Sequence, residues 1–139
     1  MHESILRDYF IGIVDEYILK DDLKDTVVQT SKDVLSYKII PLDAEFDVAP
    51  DHLAKLCDGV IAGKLQASDI ETIGFCLAAS DYFTWDSDTD RGSTVAATVY
   101  DWASPEINYP LTVENITKFR ERLLTGKDLF GKNDTRESK

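Results

Sequence analysis

Eight apolar side chains near the start of the chain recur in adjacent pairs at every fourth residue: Ile5 and Leu6, Tyr9 and Phe10, Ile13 and Val14, Tyr17 and Ile18. That spacing follows the turn of an α-helix and lays a wide apolar stripe along one face. Arg7, Asp15, Glu16 and Lys20 fall off the stripe, so the spacing predicts one helix from about Glu3 to Lys20. A helix of this kind must bury its stripe against another element.

The same period returns further along. Residues 22–38 carry a partial helical face through Leu23, Val27, Val34 and Leu35, which favours a helix stopped before Pro41. Thr26-Val27-Val28 and Tyr37-Lys38-Ile39-Ile40 nonetheless have strand composition. Residues 41–49 read as a loop. Pro50 fits the first turn of a third helix, striped by Leu53, Leu56, Cys57, Val60 and Ile61 and closed by a left-handed Gly63.

Ser68 and Glu71 form a capping box for a fourth helix with Ile70, Ile73, Leu77 and Ala78 inward. Its small residues Gly74, Ala78 and Ala79 predict close packing on a neighbour. Ser93 or Thr94 caps a fifth helix with Val95, Val99 and Trp102 inward, and Ser104-Pro105-Glu106 suggests one further turn. Thr112 opens the last helix, with Ile116, Phe119, Leu123 and Leu124 apolar and Gly126 at its end. The expected fold is all-α: a single-domain bundle of five to six amphipathic helices over residues 1–126, followed by a polar, disordered tail over 127–139.

Composition fits one soluble domain: 139 residues, 43% hydrophobic and 29% charged. No apolar run approaches the ~18 residues needed to span a bilayer. The opening Met1-His2-Glu3-Ser4 lacks a basic leader region, so no secretory signal is expected. Cys57 and Cys76 each sit in an apolar helical pattern and read as buried free thiols of a cytoplasmic protein.

Catalytic and cofactor chemistry find little support. Asp86, Asp88 and Asp90 begin a calcium-loop pattern, but Arg91 stands where it needs glycine and Ala97 where it needs glutamate. His2 is expected near a mobile terminus, and His52 falls in a helical first turn, where a positive charge is unfavourable. The two histidines and two cysteines show no zinc-ligand spacing, and no glycine-rich phosphate loop is present. A protein without enzymatic activity, metal or cofactor is expected.

Charge is the second organising feature. Between Asp43 and Glu106 thirteen carboxylates face three basic residues, which concentrates −10 of a formal net charge of −11 in the middle of the chain. Such a field repels nucleic acid and anionic membrane and attracts a basic protein partner. Aromatic residues are interleaved with these acids. Interfaces draw energy from Trp and Tyr anchors, while surrounding charges set association rate and partner choice. The candidate partner-binding residues are therefore Asp81, Tyr82, Trp85, Asp86, Asp88, Asp90, Tyr100, Asp101, Glu106 and Tyr109.

The stretches Ser80-Asp81-Tyr82-Phe83-Thr84-Trp85-Asp86 and Tyr100-Asp101-Trp102-Ala103-Ser104-Pro105-Glu106-Ile107-Asn108-Tyr109-Pro110-Leu111 give residues 50–125 a texture that resembles the small bacterial immunity proteins. Those proteins antagonise contact-dependent or colicin-type toxins. The resemblance implies a cytoplasmic chain that binds a toxin domain one-to-one, often a nuclease with a basic cleft, and occludes its active site. The alternative expectation is a helical adaptor or structural interaction protein whose acidity serves solubility.

Overall fold

The computed structural model describes residues 1–24, 26–31, 34–105 and 109–130. Among them six helices dominate: α1 (Glu3–Phe10), α2 (Glu16–Leu23), α3 (Pro50–Ile61), α4 (Ala67–Ala79), α5 (Asp90–Ala103) and α6 (Val113–Thr125). Four short strands accompany them: β1 (Val27–Ser31), β2 (Val34–Tyr37), β3 (Phe46–Asp47) and β4 (Phe83–Thr84). The expected mostly helical, single-domain bundle is what forms.

Helix α3 runs against α6 and α4 against α5, and these pairs make the body of the bundle. Helices α1 and α2 touch each other and reach α3 and α4 respectively. Leu6, Tyr9, Leu53, Leu56, Ile73, Leu77, Val95, Val99, Trp102, Ile116 and Phe119 share one buried cluster. Each fully buried aliphatic side chain there contributes ~1.5–3 kcal/mol. A Cβ at Gly74 would lie 2.7 Å from Trp102 Cβ and 3.0 Å from Ala103 N, so only glycine permits this approach of α4 to α5. Ala78 and Ala79 are exposed and take no part in it.

The single helix expected over Glu3–Lys20 is two helices. Gly12 takes a left-handed φ of 87°, and the Asp15 side chain accepts a hydrogen bond from Ile18 N at 3.1 Å to start α2 afresh. The break turns Ile13, Tyr17 and Ile18 out to solvent although they continue the apolar period. The favoured second helix is also overturned. Strands β1 and β2 pair antiparallel, with Val27 opposite Tyr37 and Lys38 N donating to Thr26 O at 2.7 Å. The β-branched run 26–28 outweighs the partial helical face.

Caps are displaced from their expected positions. Helix α4 begins two residues early, where the Asp69 carboxylate accepts from Gln66 N at 2.9 Å. Helix α5 is capped by Thr89, whose Oγ1 accepts from Gly92 N at 3.0 Å. Thr112 and Gly126 bound α6, and Gly63 follows α3 with a φ of 77°, all as the sequence predicts. Ile61 and Leu124 lie on the exposed sides of their helices.

Neither end of the described chain hangs free. His2 holds Asp22 through its backbone N and its Nδ1, both at 2.7 Å, which overturns the mobile placement. Within the segment expected to be a tail, Phe130 stacks on Tyr109 with ring centroids 4.1 Å apart. Residues 131–139, and the turn expected at Glu106, lie outside the described residues.

Candidate functional site

Parallel pairing of β3 with β4 builds the site, because it joins two acidic segments that are distant in sequence. Phe46 N donates to Tyr82 O and Val48 N to Thr84 O, both at 2.8 Å. Phe46 and Phe83 meet edge-to-face at 5.9 Å and both rest on Phe10. This aromatic anchor fixes the ribbon to α1 and leaves the flanking acids at the surface. Segment 41–49, expected as a loop, thus contributes a strand.

Eight exposed carboxylates line the resulting edge: Asp43, Glu45, Asp47 and Asp51 from one segment, and Asp81, Asp86, Asp88 and Asp90 from the other. Among the described residues none of them forms an ion pair. Acids elsewhere do: Asp58 with Arg120, Asp69 with Lys20, and Asp101 with Arg122. Exposed Arg91 lies among these acids, lining one cavity with Asp47 and Asp86 and another with Asp51 and Asp90, so it offsets the field of the edge only in part. Asp51 and Asp90 also sit in the first turns of α3 and α5, where the helix dipole favours a carboxylate.

A cavity of about 240 Å³ opens between the two segments, lined by Asp47, Pro50, Trp85, Asp86 and Arg91 among others. Trp85 and Tyr82 are half-buried, each with a face on the core. They supply apolar area beside the acids. Asp86 has a local role as well: its Oδ1 accepts from Asp88 N at 3.0 Å, and its carbonyl accepts from Thr89 Oγ1 at 2.8 Å. The turn so made aims Asp88 and Asp90 outward.

His52 supports the edge from beneath. Its ring lies 5.2 Å from both Phe10 and Phe46, and its Nδ1 accepts from Ala49 N at 2.9 Å. An accepting Nδ1 carries no proton. Burial lowers the His52 pKa, and the opposing pull of Asp51 and Asp47 is weaker. This histidine is a neutral brace between α1, β3 and the start of α3.

The structure brings together Asp81, Tyr82, Trp85, Asp86, Asp88 and Asp90 of the expected binding residues, and leaves Tyr100, Asp101 and Tyr109 elsewhere. Asp101 is only 8% exposed and cannot meet a partner: Arg122 Nη2 donates to its Oδ2 at 3.0 Å and to Thr98 Oγ1 at 2.9 Å. Burial pushes the Asp101 pKa up, and Arg122 pulls it down by less. The pair clamps α5 to α6. Tyr109 belongs to an aromatic pad with Phe119 and Phe130.

Tyr100 is exposed but ten residues of helix beyond Asp90, roughly 15 Å away. Glu106 is outside the described residues. The site reading missed Asp43, Glu45, Asp47 and Asp51 as members of the edge. Their charge was visible in the sequence, but no local signal revealed the pairing of Phe46 with Phe83.

Other chemistry is weakly served. Burial pushes the Cys57 and Cys76 thiols up to about 12 and about 11, which keeps them protonated and inert. Among the described residues no cluster of His, Cys, Asp and Glu is arranged to hold a metal ion, and no helix is long and apolar enough to cross a membrane. No protein-family model, curated protein or solved structure matches this chain.

Proposed function

We propose that this chain is an acidic binding protein that docks on the basic cleft of a partner, as a small immunity protein does on a nuclease toxin domain, and occludes its active site. The observation that carries the reading is the β3–β4 edge, where eight exposed carboxylates stand, among the described residues, without an ion pair beside the half-buried Tyr82 and Trp85. Carboxylates so placed take the positions of substrate phosphates on a basic surface. One exposed acid decides little, since a charge pair 10 Å apart in water is worth ~0.4 kcal/mol before screening. A clustered set raises association rates by roughly 10 to 10³-fold.

The test is genetic and then kinetic. Co-expression with a toxin domain encoded by an adjoining gene restores growth, and the purified pair forms a one-to-one complex. Reversal of Asp47, Asp81 and Asp88 to lysine together slows association at least about tenfold and flattens its salt dependence. These three are chosen because their side chains hold no turn of the fold together. Unchanged association after the triple reversal refutes this location of the site. Absence of any basic partner leaves the acids a solubilising role.

A further inference from the structure

The break between α1 and α2 exposes an apolar surface that the bundle does not use. Ile11, Ile13, Tyr17 and Ile18 are 52%, 67%, 80% and 44% exposed within one eight-residue stretch. Monomeric proteins seldom leave so much contiguous apolar area uncovered without a use. Residues 131–139 contain no apolar side chain that could serve as its cover.

The charges around this surface differ from those elsewhere. Asp15, Glu16, Lys20 and Lys64 line a cavity of about 330 Å³ against Tyr17, and their formal charges cancel. The rest of the molecule carries the whole net charge of −11. Two copies that met through the β3–β4 edge would oppose eight bare carboxylates to eight more. At the α1–α2 turn they meet without that penalty.

We infer that this face is a self-association surface, occupied by the same face of a second copy of this chain. Two-fold packing of α2 antiparallel to its mate covers Ile13, Tyr17 and Ile18, while Glu16 keeps its ion pair with Lys64 and Lys20 its pair with Asp69 within each copy. A second copy brings the same apolar residues and the same internally paired rim, so the contact is self-complementary without adding unpaired charge. Four such side chains with their rim bury roughly 1,000 Å² in total, the lower limit for a specific contact. The dimer is therefore weak and reversible.

Net charge gives the interface a signature. Each copy repels the other at long range, so added salt tightens the dimer. Docking of a basic partner on the acidic edge has the opposite salt dependence, which separates failure of this inference from failure of the functional reading.

Sedimentation equilibrium of the full chain from about 10 µM to about 1 mM, in about 0.05 and 0.5 M sodium chloride, tests it. A reversible dimer is expected, at higher fraction in the higher salt. Ile13→Asp with Tyr17→Asp weakens it at least about tenfold with an unchanged circular dichroism spectrum. Ile13→Ser with Tyr17→Ser is the milder pair, for use should the aspartates disturb folding, and lowers the dimer fraction in the same direction. A wild-type chain that stays monomeric throughout overturns the inference. So does a dimer that salt dissolves, or one that neither pair of substitutions weakens.

Discussion

The backbone of Asp86 lies directly on the Cα of Gly92: a Cβ built at Gly92 would fall 1.7 Å from the Asp86 carbonyl oxygen. No side chain fits in that space, and the obstacle is backbone. Gly92→Ala must open the turn from Asp86 to Gly92 or shift the start of α5, at an expected cost of at least about 2 kcal/mol. Urea denaturation measures the loss. Because Trp85 adjoins the turn, its fluorescence should change in the folded variant as well. A variant as stable as wild type would show that the turn does not hold the helix.

His52 makes stability depend on pH. Its folded-state pKa lies below the ordinary ~6.5, so below that pH the unfolded chain takes up a proton that the folded chain still refuses. The contribution is fully present above ~6.5 and is lost as pH falls towards the folded value. His52→Gln keeps an acceptor three residues into α3 and removes the titration. The stability of wild type relative to this variant should decline as the pH is lowered. A difference that does not move with pH contradicts the neutral brace.

Asp101 and Arg122 are predicted to matter for folding and not for recognition. Asp101→Ala strands a largely buried guanidinium and should cost about 3 kcal/mol. Asp58→Ala, which removes an exposed partner of Arg120, should cost less than about 1 kcal/mol. Thermal melts of the two variants side by side decide the matter. Equal losses would mean that burial of the Asp101 pair carries no energetic weight.

Partner binding should distinguish the aromatics that the sequence grouped together. Tyr100→Ala, on α5 and remote from the acidic edge, is expected to leave association and dissociation rates within about twofold of wild type. Trp85→Ala should raise the dissociation rate by about tenfold or more. Surface plasmon resonance against the basic partner separates the two. A larger effect at Tyr100 would move the interface along α5.

Thiol chemistry offers a check on the core. Cys57 and Cys76 are fully buried and their pKa values are pushed up to about 12 and about 11. Neither should react with a disulfide reagent near pH 8 until denaturant is added, when both should react. Fast labelling of the native chain at either position would mean that α3 or α4 opens locally.

Much of the bundle was legible along the chain. The stripe of α5 read correctly, and those of α3 and α6 did so except at Ile61 and Leu124, because each is a local repeat: Leu53, Leu56 and Val60 lie on one side of their helix whatever they pack against. Caps were harder. Ser68 and Glu71 satisfy the capping pattern, yet Asp69 and Gln66 start the helix, because both spacings were present and only packing chose between them. In the acidic edge the half from Asp81 to Asp90 was visible, since acids and aromatics alternate there within one short window. Asp101 misled because an acid among aromatics resembles an interface, whereas its helical position, beside the inward Trp102, faces Arg122 on α6.

The sequence by itself determined a helical bundle and a strongly negative middle, because helical period and formal charge belong to individual residues and short windows. Tertiary structure alone decided that Asp43–Asp51 meets Asp81–Asp90 across Phe46 and Phe83, that Asp101 is buried against Arg122, and that Tyr109 packs on Phe130. Those outcomes rest on contacts between residues far apart in the chain. Their free energy exists only once both partners are in place, so no single stretch of the sequence records it.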